Sequence, residues 1–430
     1  MTSFLAKGIA SALLAGEWTE RSMVGRVASA LGEPHASHVR WMSKLVRYAR
    51  REFPAPPRDA RDALAIALLR SKAWPDVLAA RVHVRRSVLD VPEMRPTRFR
   101  VPPIATPGDL AAFLHLDVRQ LDAYADRRNL SRFAPHERMR HYRYRWVPKP
   151  SGGERLLEIP KLRLRAVQRE ILDRIVSLVP PHDCAHGFRA GRSVIDFVTP
   201  HVGRSVVIRI DLRSFFQSIR AGRVNAVWRA VGYPEEVART LTALTTHAAP
   251  SDVVARVGAE QRQRLRTPHL PQGAPTSPGL ANLIAFGLDV RLSALAKKLG
   301  ATYGRYADDI AFSGDESLAR VADAVVIEMM TIAMDEGFDV NPKKTRVQKR
   351  GVRQHLAGVV LNAHPAWPRP ERERFEAILT NCVRFGPSAQ NRRNVSDFRA
   401  RLAGRLAWLA QVDSRAAAEM RPIFDSIRWE

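Results

Sequence analysis

The sequence predicts an α+β protein in which a helical N-terminal region precedes a part that mixes helices with short strands. Over residues 1–90, apolar side chains recur at the spacing of amphipathic helices. From Arg143 onward, apolar and polar residues alternate between Gly- and Pro-rich turns, which is typical of strands and hairpins. Helical spacing returns near the C-terminus, over residues 398–409.

The composition indicates a basic, multidomain protein with a nucleic-acid partner. The 430 residues suffice for several domains with separate cores. Lys and Arg number 69 against 43 Asp and Glu, and the resulting net charge of +26 attracts polyanions, of which nucleic acid is the commonest. Two cysteines, Cys184 and Cys382, are too few for a disulfide framework, so we expect a reducing, cytoplasmic setting. No apolar run reaches the roughly 18 residues of a membrane span, so we expect no membrane partner.

The N-terminal helices, residues 1–90, are expected to form a separate region. Trp18, Trp41 and Trp74 are predicted to anchor its core. A basic, Pro-rich segment without periodicity, residues 91–107, is interpreted as a linker.

A new helix is predicted to begin after Thr106. Thr106 as the N-cap, Pro107 at the first helical position and Asp109 form a capping-box pattern. Residues 110–125 then fit two short helices. This spacing also fits a helix-turn-helix, so a DNA-binding regulator is an alternative at this point.

A β-hairpin with a basic rim follows. Residues 142–147 and 155–159 alternate as strands, and residues 150–153 form a turn between them. Lys149 and Arg155 flank this turn and could contact a triphosphate. The same residues also fit a solvated hairpin edge, where cations guard against aggregation.

A helix over residues 167–179 leads into a Gly- and Arg-rich loop, residues 182–193. Its His182, Cys184 and His186 alternate without a nearby fourth ligand, a spacing that fits no common structural zinc site. The composition instead suits a loop that a nucleic-acid backbone approaches closely.

Three carboxylates carry the strongest chemical signal. Within residues 303–312, two strand-like runs flank Ala307-Asp308, so Asp308 and Asp309 are predicted at a hairpin tip, in strands with one buried face. Paired carboxylates repel unless a cation stands between them, and carboxylate oxygens at a turn suit Mg²⁺ held jointly with substrate phosphates. A buried strand over residues 206–210 delivers Asp211, which could share two metal ions with Asp308 in phosphoryl transfer.

Two further segments accompany these acids. Phe216 follows Asp211 in the bend after its strand, where its ring could lie under the sugar of a nucleotide or belong to the core. Residues 270–278 are dense in Pro and Gly, which predicts a rigid loop with Gln272 at its tip. A helix is predicted over residues 280–299.

Taken in order, these motifs resemble bacterial reverse transcriptases, and most of all the retron group. The resemblance runs from Leu110 to Asn362. No single motif is specific for this family, but the order in which the motifs occur is specific. The motifs are Pro148-Lys149, Gly152-Gly153, Arg155, Gln168-Arg169, His186-Gly187-Phe188, Asp211 with Phe215-Phe216, Leu270 to Pro278, Tyr306 to Asp309, and Asn341-Pro342-Lys343-Lys344-Thr345.

The resemblance implies residue roles. They are Asp211, Asp308 and Asp309 as the palm acids that bind two Mg²⁺ ions, Phe216 as the gate against ribose 2′-hydroxyls, Gln272 in the loop lining the nascent base pair, Lys149 and Arg155 as triphosphate contacts, and Lys344 as the general acid for pyrophosphate.

It also implies a right-hand polymerase fold with an N-terminal helical extension. Fingers and palm would span residues 108–350 and the thumb residues 351–430, where residues 398–409 fit a basic amphipathic helix. The implied activity is RNA-directed DNA synthesis from dNTPs. The enzyme would copy part of a cognate structured non-coding RNA into short single-stranded DNA (msDNA), primed from an RNA 2′-hydroxyl. Antiphage defence, with a possible effector protein as partner, is implied in the same way.

The chain departs from the usual retron pattern at two places. Phe197-Val198 stand where Asn-Ala is usual before His201, and Leu356-Ala357 stand where Val-Thr precedes Gly358. A bacterial reverse transcriptase of another lineage, such as a defence-type or template-independent polymerase, is therefore the first alternative. A non-enzymatic nucleic-acid-binding regulator is the second.

Overall fold

The computed structural model describes residues 2–32, 40–57, 61–86, 93–149 and 152–429. Val91 and Pro92 of the predicted linker and Pro150 and Ser151 of the predicted turn lie outside the described residues. The chain divides into two compact units, the first made of residues 1–179, 221–258 and 266–268, and the second of residues 180–220, 259–265 and 269–430.

The described helices, in chain order, are α1 (Thr2–Leu14), α2 (Glu20–Leu31), α3 (Arg40–Glu52), α4 (Arg61–Leu69), α5 (Trp74–Ala79), α6 (Pro107–Phe113), α7 (Val118–Ala125), α8 (Leu162–Arg174), α9 (Val194–Val198), α10 (Phe215–Ser218), α11 (Ala221–Val231), α12 (Glu235–Thr245), α13 (Ser251–Val254), α14 (Ala259–Arg266), α15 (Thr276–Ile284), α16 (Phe286–Lys298), α17 (Glu316–Arg320), α18 (Ala322–Asp335), α19 (Arg369–Phe385), α20 (Pro387–Gln390), α21 (Phe398–Val412) and α22 (Ser414–Asp425). The strands are β1 (Tyr142–Pro148), β2 (Glu154–Pro160), β3 (Val206–Asp211), β4 (Thr302–Tyr306), β5 (Asp309–Gly314), β6 (Arg346–Lys349), β7 (His355–Leu356) and β8 (Val359–Val360).

In the first unit, α1 to α5 surround a core of their own. Trp41 and Trp74 are buried in it, and Trp18 packs against it while its indole N–H donates to the carbonyl of Phe53 at 3.0 Å. The predicted anchoring role of the three tryptophans is thus confirmed.

The predicted capping box at the start of α6 is confirmed. The Thr106 hydroxyl accepts a hydrogen bond from the backbone N–H of Asp109 at 3.1 Å, and the Asp109 carboxylate accepts one from the N–H of Thr106 at 2.9 Å. These bonds satisfy two backbone donors that an uncapped helix would leave without partners.

The predicted hairpin is also present, as antiparallel strands β1 and β2 in which Val147 lies opposite Arg155. One face is buried: the ring of Tyr142 stacks on His247 at 4.0 Å, and its hydroxyl accepts from the Gln168 amide at 2.9 Å. This contact fixes which face of the hairpin meets the helices of the first unit.

The second unit is built on a four-stranded antiparallel sheet of order β4-β5-β3-β6. The predicted one-sided burial of the hairpin strands is wrong for β5, whose residues Ile310 to Gly314 are all buried. Because β5 lies between β4 and β3 and is covered on both faces, its burial does not alternate.

Two of the predicted helices also differ in their boundaries. The helix expected over residues 280–299 is two helices, α15 and α16, bent by 49° at Ala285, whose ψ of 3° departs from helical geometry. The helix expected over residues 167–179 already begins at Leu162 and ends at Arg174.

Among the described helices, no single one is long and apolar enough to cross a membrane; α15 and α16 meet that criterion by length and composition only when they are taken together.

The C-terminal helices α19, α21 and α22 form a further apolar cluster, which includes Phe375, Leu406 and Phe424. A separate cluster joins β7 and β8 to the sheet, where Leu356 and Val359 pack with Phe197, Val207 and Ala311. The two places where the sequence departs from the usual retron pattern therefore lie in one core, next to the sheet that carries the carboxylates.

Candidate active site

The tight turn between β4 and β5 holds Ala307 and Asp308, as the sequence predicts. Ala307 has a φ of 57°, a left-handed conformation that a non-glycine residue adopts only when its surroundings enforce it. Arg305 enforces it from inside the protein. Its guanidinium is fully buried and donates to the carbonyl of Ala307 at 3.0 Å.

A carboxylate on α16 holds Arg305 in place. Nε and Nη2 of Arg305 donate to the two oxygens of Asp289, both at 2.7 Å, and the Tyr303 hydroxyl donates to the same carboxylate at 2.6 Å. Such a buried bidentate pair is strongly directional. It fixes the turn on which Asp308 stands.

The third carboxylate, Asp211, lies at the end of β3 directly opposite Asp309 of β5. The backbone N–H of Leu212 donates to the carbonyl of Asp308 at 2.9 Å, so the backbone hydrogen bonding between β3 and β5 continues up to the turn. The structure thus brings Asp211, Asp308 and Asp309 together at one end of two neighbouring strands.

Lys344 joins this cluster from the turn before β6. The N–H of Asn341 donates to the carbonyl of Asp211 at 2.8 Å and anchors that turn. The Lys344 ammonium donates to Oδ2 of Asp211 at 2.9 Å; the lysine is 45% exposed and the aspartate 6% exposed. The pair therefore links a solvent-facing cation to a buried anion.

Arg209 contacts the other end of the cluster. Its Nε and Nη2 both donate to Oδ1 of Asp309, at 2.9 and 2.6 Å. Sequence reasoning missed this residue. The available signal was a lone cation within the apolar run Val206 to Ile210, two positions before Asp211 and hence on the same face of the strand.

The carboxylates disturb one another's protonation. Burial, followed by the negative charges of Asp309 and Asp211, raises the pKa of Asp308 to about 6. Burial also raises the pKa of Asp309, against the lowering effect of the Arg209 guanidinium. A site of clustered acids with raised pKa values favours a cation that neutralises them.

The residues present fit a divalent metal ion by their chemistry, since they offer hard carboxylate oxygens whose mutual repulsion a cation would relieve. Within the described parts of the chain, no three His, Cys, Asp or Glu side chains are already arranged as a metal site. Instead, Lys344 and Arg209 balance part of the negative charge of Asp211 and Asp309.

Two more of the predicted site residues lie near one another in the same unit. Phe216 is on the short helix α10 that follows β3, and its neighbour Gln217 donates a side-chain hydrogen bond to Gln272 at 3.2 Å. The ring of Phe216 also lies 6.1 Å from that of Phe188, a contact not predicted from the sequence.

Lys149 and Arg155 lie in the first unit, at the end of the β1–β2 hairpin. Both side chains are exposed. The N–H of Lys149 donates to the carbonyl of Gly153 at 2.9 Å, which closes the turn between the strands.

Comparison with known proteins places these residues in a family context. Residues 147–360, which include all three carboxylates and Lys344, match the family model described as reverse transcriptase (RNA-dependent DNA polymerase). The chain is 40% identical over 339 residues to the retron Mx65 reverse transcriptase of Myxococcus xanthus, covering 76% of this chain and 73% of that protein. It is 39% identical over 262 residues to the retron Mx162 reverse transcriptase of the same organism, covering 59% of this chain and 53% of that protein. It is also 31% identical over 223 residues to the retron Ec86 reverse transcriptase of Escherichia coli, covering 51% of this chain and 63% of that protein.

Proposed function

Because this chain belongs to the retron-type reverse transcriptases and is an RNA-directed DNA polymerase, we propose that it copies part of a cognate structured non-coding RNA into short single-stranded DNA. The family inferred from the motifs is confirmed by similarity over most of the chain, so the departures at Phe197-Val198 and Leu356-Ala357 do not change it. The relatives imply an RNA template, a DNA product and dNTP substrates.

The observation that supports this proposal most is the meeting of Asp211 and Asp309 across β3 and β5, with Asp308 on the adjoining turn. Enzymes of this family generally use divalent metal ions, and we assign the three carboxylates as ligands of Mg²⁺. When bound, the metal would stabilise the negative charge that develops on the attacking and leaving oxygens.

The protein's own residues supply orientation and protons. Arg305 and Asp289 hold the turn, so Asp308 would bind the metal without reorganisation of the backbone. Lys344 would donate a proton to the departing pyrophosphate, because its ammonium lies beside Asp211 and remains open to solvent. Phe216 would exclude ribonucleotides by contact with the sugar, and Gln272 would line the nascent base pair.

We assign the fold as a right-hand polymerase. Residues 108–350 would be the fingers and palm, with Lys149 and Arg155 of the exposed hairpin as triphosphate contacts. Residues 351–430 would be the thumb, and residues 1–90 an N-terminal extension joined through residues 91–107. The separate apolar core of the C-terminal helices supports the thumb assignment.

A basic groove supports RNA binding by the thumb. A cavity of 460 Å³ lies between α19 and α21, and its lining has a single acid, Glu371, against five arginines: Arg374, Arg392, Arg393, Arg401 and Arg405. Arg405 also lies over the ring of Phe375 at 4.5 Å, which holds its guanidinium in place. Such a groove fits the phosphates of a folded RNA.

We further propose that synthesis starts from a 2′-hydroxyl of the RNA, that the product is msDNA, and that the enzyme acts in the cytoplasm in antiphage defence, with an effector protein as a possible partner. These points rest on the family alone.

The test is to express the gene with its flanking DNA, extract nucleic acid, and treat it with RNase and with a debranching enzyme. We expect a discrete short DNA whose mobility shifts after debranching and which is absent from the Asp308→Asn variant. DNA synthesis in the absence of any branched species would instead indicate an enzyme primed in another way, and synthesis without an RNA template would indicate a template-independent polymerase.

A further inference from the structure

The segment from Cys184 to Phe188 runs along the outer edge of the sheet, beside the turn that carries Asp308. The backbone N–H of His186 donates to the carbonyl of Arg305 at 2.8 Å, and the N–H of Arg305 donates to the carbonyl of Cys184 at 2.8 Å. The segment therefore adds a short parallel bridge to β4.

Gly187 is pressed against the turn itself. A Cβ atom at this position would lie 2.6 Å from the backbone nitrogen of Ala307, a contact that neither backbone can relieve without moving. The Asn282 amide donates to the carbonyl of Gly187 at 2.8 Å, and its oxygen accepts from Arg305 at 3.0 Å. The guanidinium that holds the turn thus also holds this segment, through Asn282.

Phe188 follows directly and is unusual in two respects. It has a φ of 60°, a left-handed conformation that is costly for an aromatic residue, and its side chain is 52% exposed. Burial in the core therefore does not explain why an aromatic residue is held there. A strained backbone conformation that the surrounding structure holds in place is typical of functional positions.

Among the described residues, the one aromatic ring that packs against Phe188 is that of Phe216, with ring centroids 6.1 Å apart and an interplanar angle of 48°. This separation and tilt are those of a favourable aromatic pair. Phe216 also touches Phe215, which lies on the core side. Phe216 is therefore held between a buried ring and an exposed one.

We propose that Phe188 is a positioning residue for sugar discrimination: it holds the Phe216 ring in the position relative to the nucleotide sugar that admits deoxyribose and excludes a 2′-hydroxyl. This inference rests on the proposed role of Phe216 as the gate. Because Gly187 fixes Phe188 to the same turn as Asp308, the distance between the gate and the proposed metal ligand is held constant.

The experiment measures kcat/KM for a dNTP and for the matching rNTP on an RNA template with a DNA primer. The variants are Phe188→Ala, Phe188→Gly, Phe216→Ala and the double variant Phe188→Ala/Phe216→Ala, with Phe385→Ala as the control, since Phe385 is a 67% exposed phenylalanine at the end of α19. Phe188→Gly removes the ring while suiting the left-handed backbone, so it separates loss of the ring from loss of fold.

We expect Phe188→Ala and Phe188→Gly to lower the preference for the dNTP over the rNTP roughly 2- to 10-fold. This fold-change corresponds to the interaction free energy of one aromatic pair. The double variant should discriminate no worse than Phe216→Ala, because Phe188 acts through Phe216, and Phe385→Ala should match the wild type. Wild-type discrimination in both Phe188 variants, with Phe216→Ala impaired, would overturn the role of Phe188 alone. Unchanged discrimination in Phe216→Ala would overturn the gate, and the role of Phe188 with it.

Discussion

Arg209 and Asp309 form an ion pair on neighbouring strands of the sheet, in which two guanidinium N–H groups converge on one carboxylate oxygen. Asp308, the adjacent acid, has its pKa raised to about 6 by burial and by the carboxylates of Asp309 and Asp211. The two neighbouring acids are therefore not equivalent. Asp309 is paired with Arg209, whereas Asp308 is held beside two like charges.

Arg209→Ala should lower kcat about 10-fold or more, with a smaller effect on the KM for dNTP, because Asp309 would lose the partner that orients it. It should also lower the free energy of unfolding by about 1–3 kcal/mol, since it leaves a largely buried carboxylate without its cation. Arg209→Lys keeps the positive charge but lacks the two N–H groups with which the guanidinium contacts Asp309. Compared with Arg209→Ala, it should therefore recover stability better than it recovers kcat. Steady-state kinetics and urea denaturation measure both; wild-type kinetics in Arg209→Ala would show that Asp309 needs no such support.

Lys344→Met should lower kcat about 100-fold or more, because it removes the proposed general acid, while RNA affinity stays within about 2-fold. The matched control is Lys343→Met, which removes a positive charge that is also exposed, at the preceding position. Single-turnover incorporation separates the chemical step from binding. Equal losses in the two variants would mean that Lys344 contributes only charge.

Asp289→Asn should destabilise the protein by about 3–5 kcal/mol, since it leaves the fully buried guanidinium of Arg305 without its counter-charge. The control is Arg291→Ala on the same helix, whose exposed ion pair with Asp335 should contribute little measurable stability. Chemical denaturation gives both values. A cost for Asp289→Asn as small as that of the control would contradict a structural role for the buried pair.

His201 should make stability depend on pH. It is buried, its Nδ1 lies 2.7 Å from the Ser313 hydroxyl, and burial, with the nearby charges of His186 and Arg204, lowers its pKa from 6.5 to about 3. The unfolded chain then takes up the proton first as pH falls, so stability is complete above pH 6.5 and is lost progressively toward pH 3.

Between about pH 7 and pH 5, the wild type should lose roughly 2 kcal/mol more stability than His201→Asn, which has no group that titrates there. Urea denaturation at the two pH values measures the difference. Equal pH dependence in the two proteins would mean that His201 is not held neutral by the fold.

Much of this site follows from the sequence because its signals are local. The turn at Ala307-Asp308, the strand that delivers Asp211 and the capping box at Thr106 each depend on neighbouring residues, and the structure has all three. The charge partners do not follow, because Arg209 meets Asp309 across 100 positions of sequence. The pairing of Phe188 with Phe216 also depends on how Gly187 meets the turn, which no local pattern encodes.

The strand β5 illustrates the same limit in the core. Its sequence fits one buried face, yet it is buried on both, because the face that carries Ala311 is covered by distant segments around Phe197 and Leu356. The periodicity of a strand indicates which of its faces has side chains that suit burial. It does not indicate which segments from elsewhere in the chain will pack on each face.

The proposed role of Asp211, Asp308 and Asp309 in RNA-directed DNA synthesis rests on their meeting where β3 ends and β5 begins. Its most direct test is extension of a DNA primer on an RNA template with dNTPs and Mg²⁺, comparing wild type, Asp308→Asn and the control Asp335→Asn, with RNA binding measured in parallel at raised salt. We expect wild-type extension in the control and a loss of about 1000-fold or more in Asp308→Asn, at nearly unchanged RNA affinity, because the proposed role of this acid is to bind the metal and not the template. Extension by Asp308→Asn within a few-fold of wild type would contradict this role.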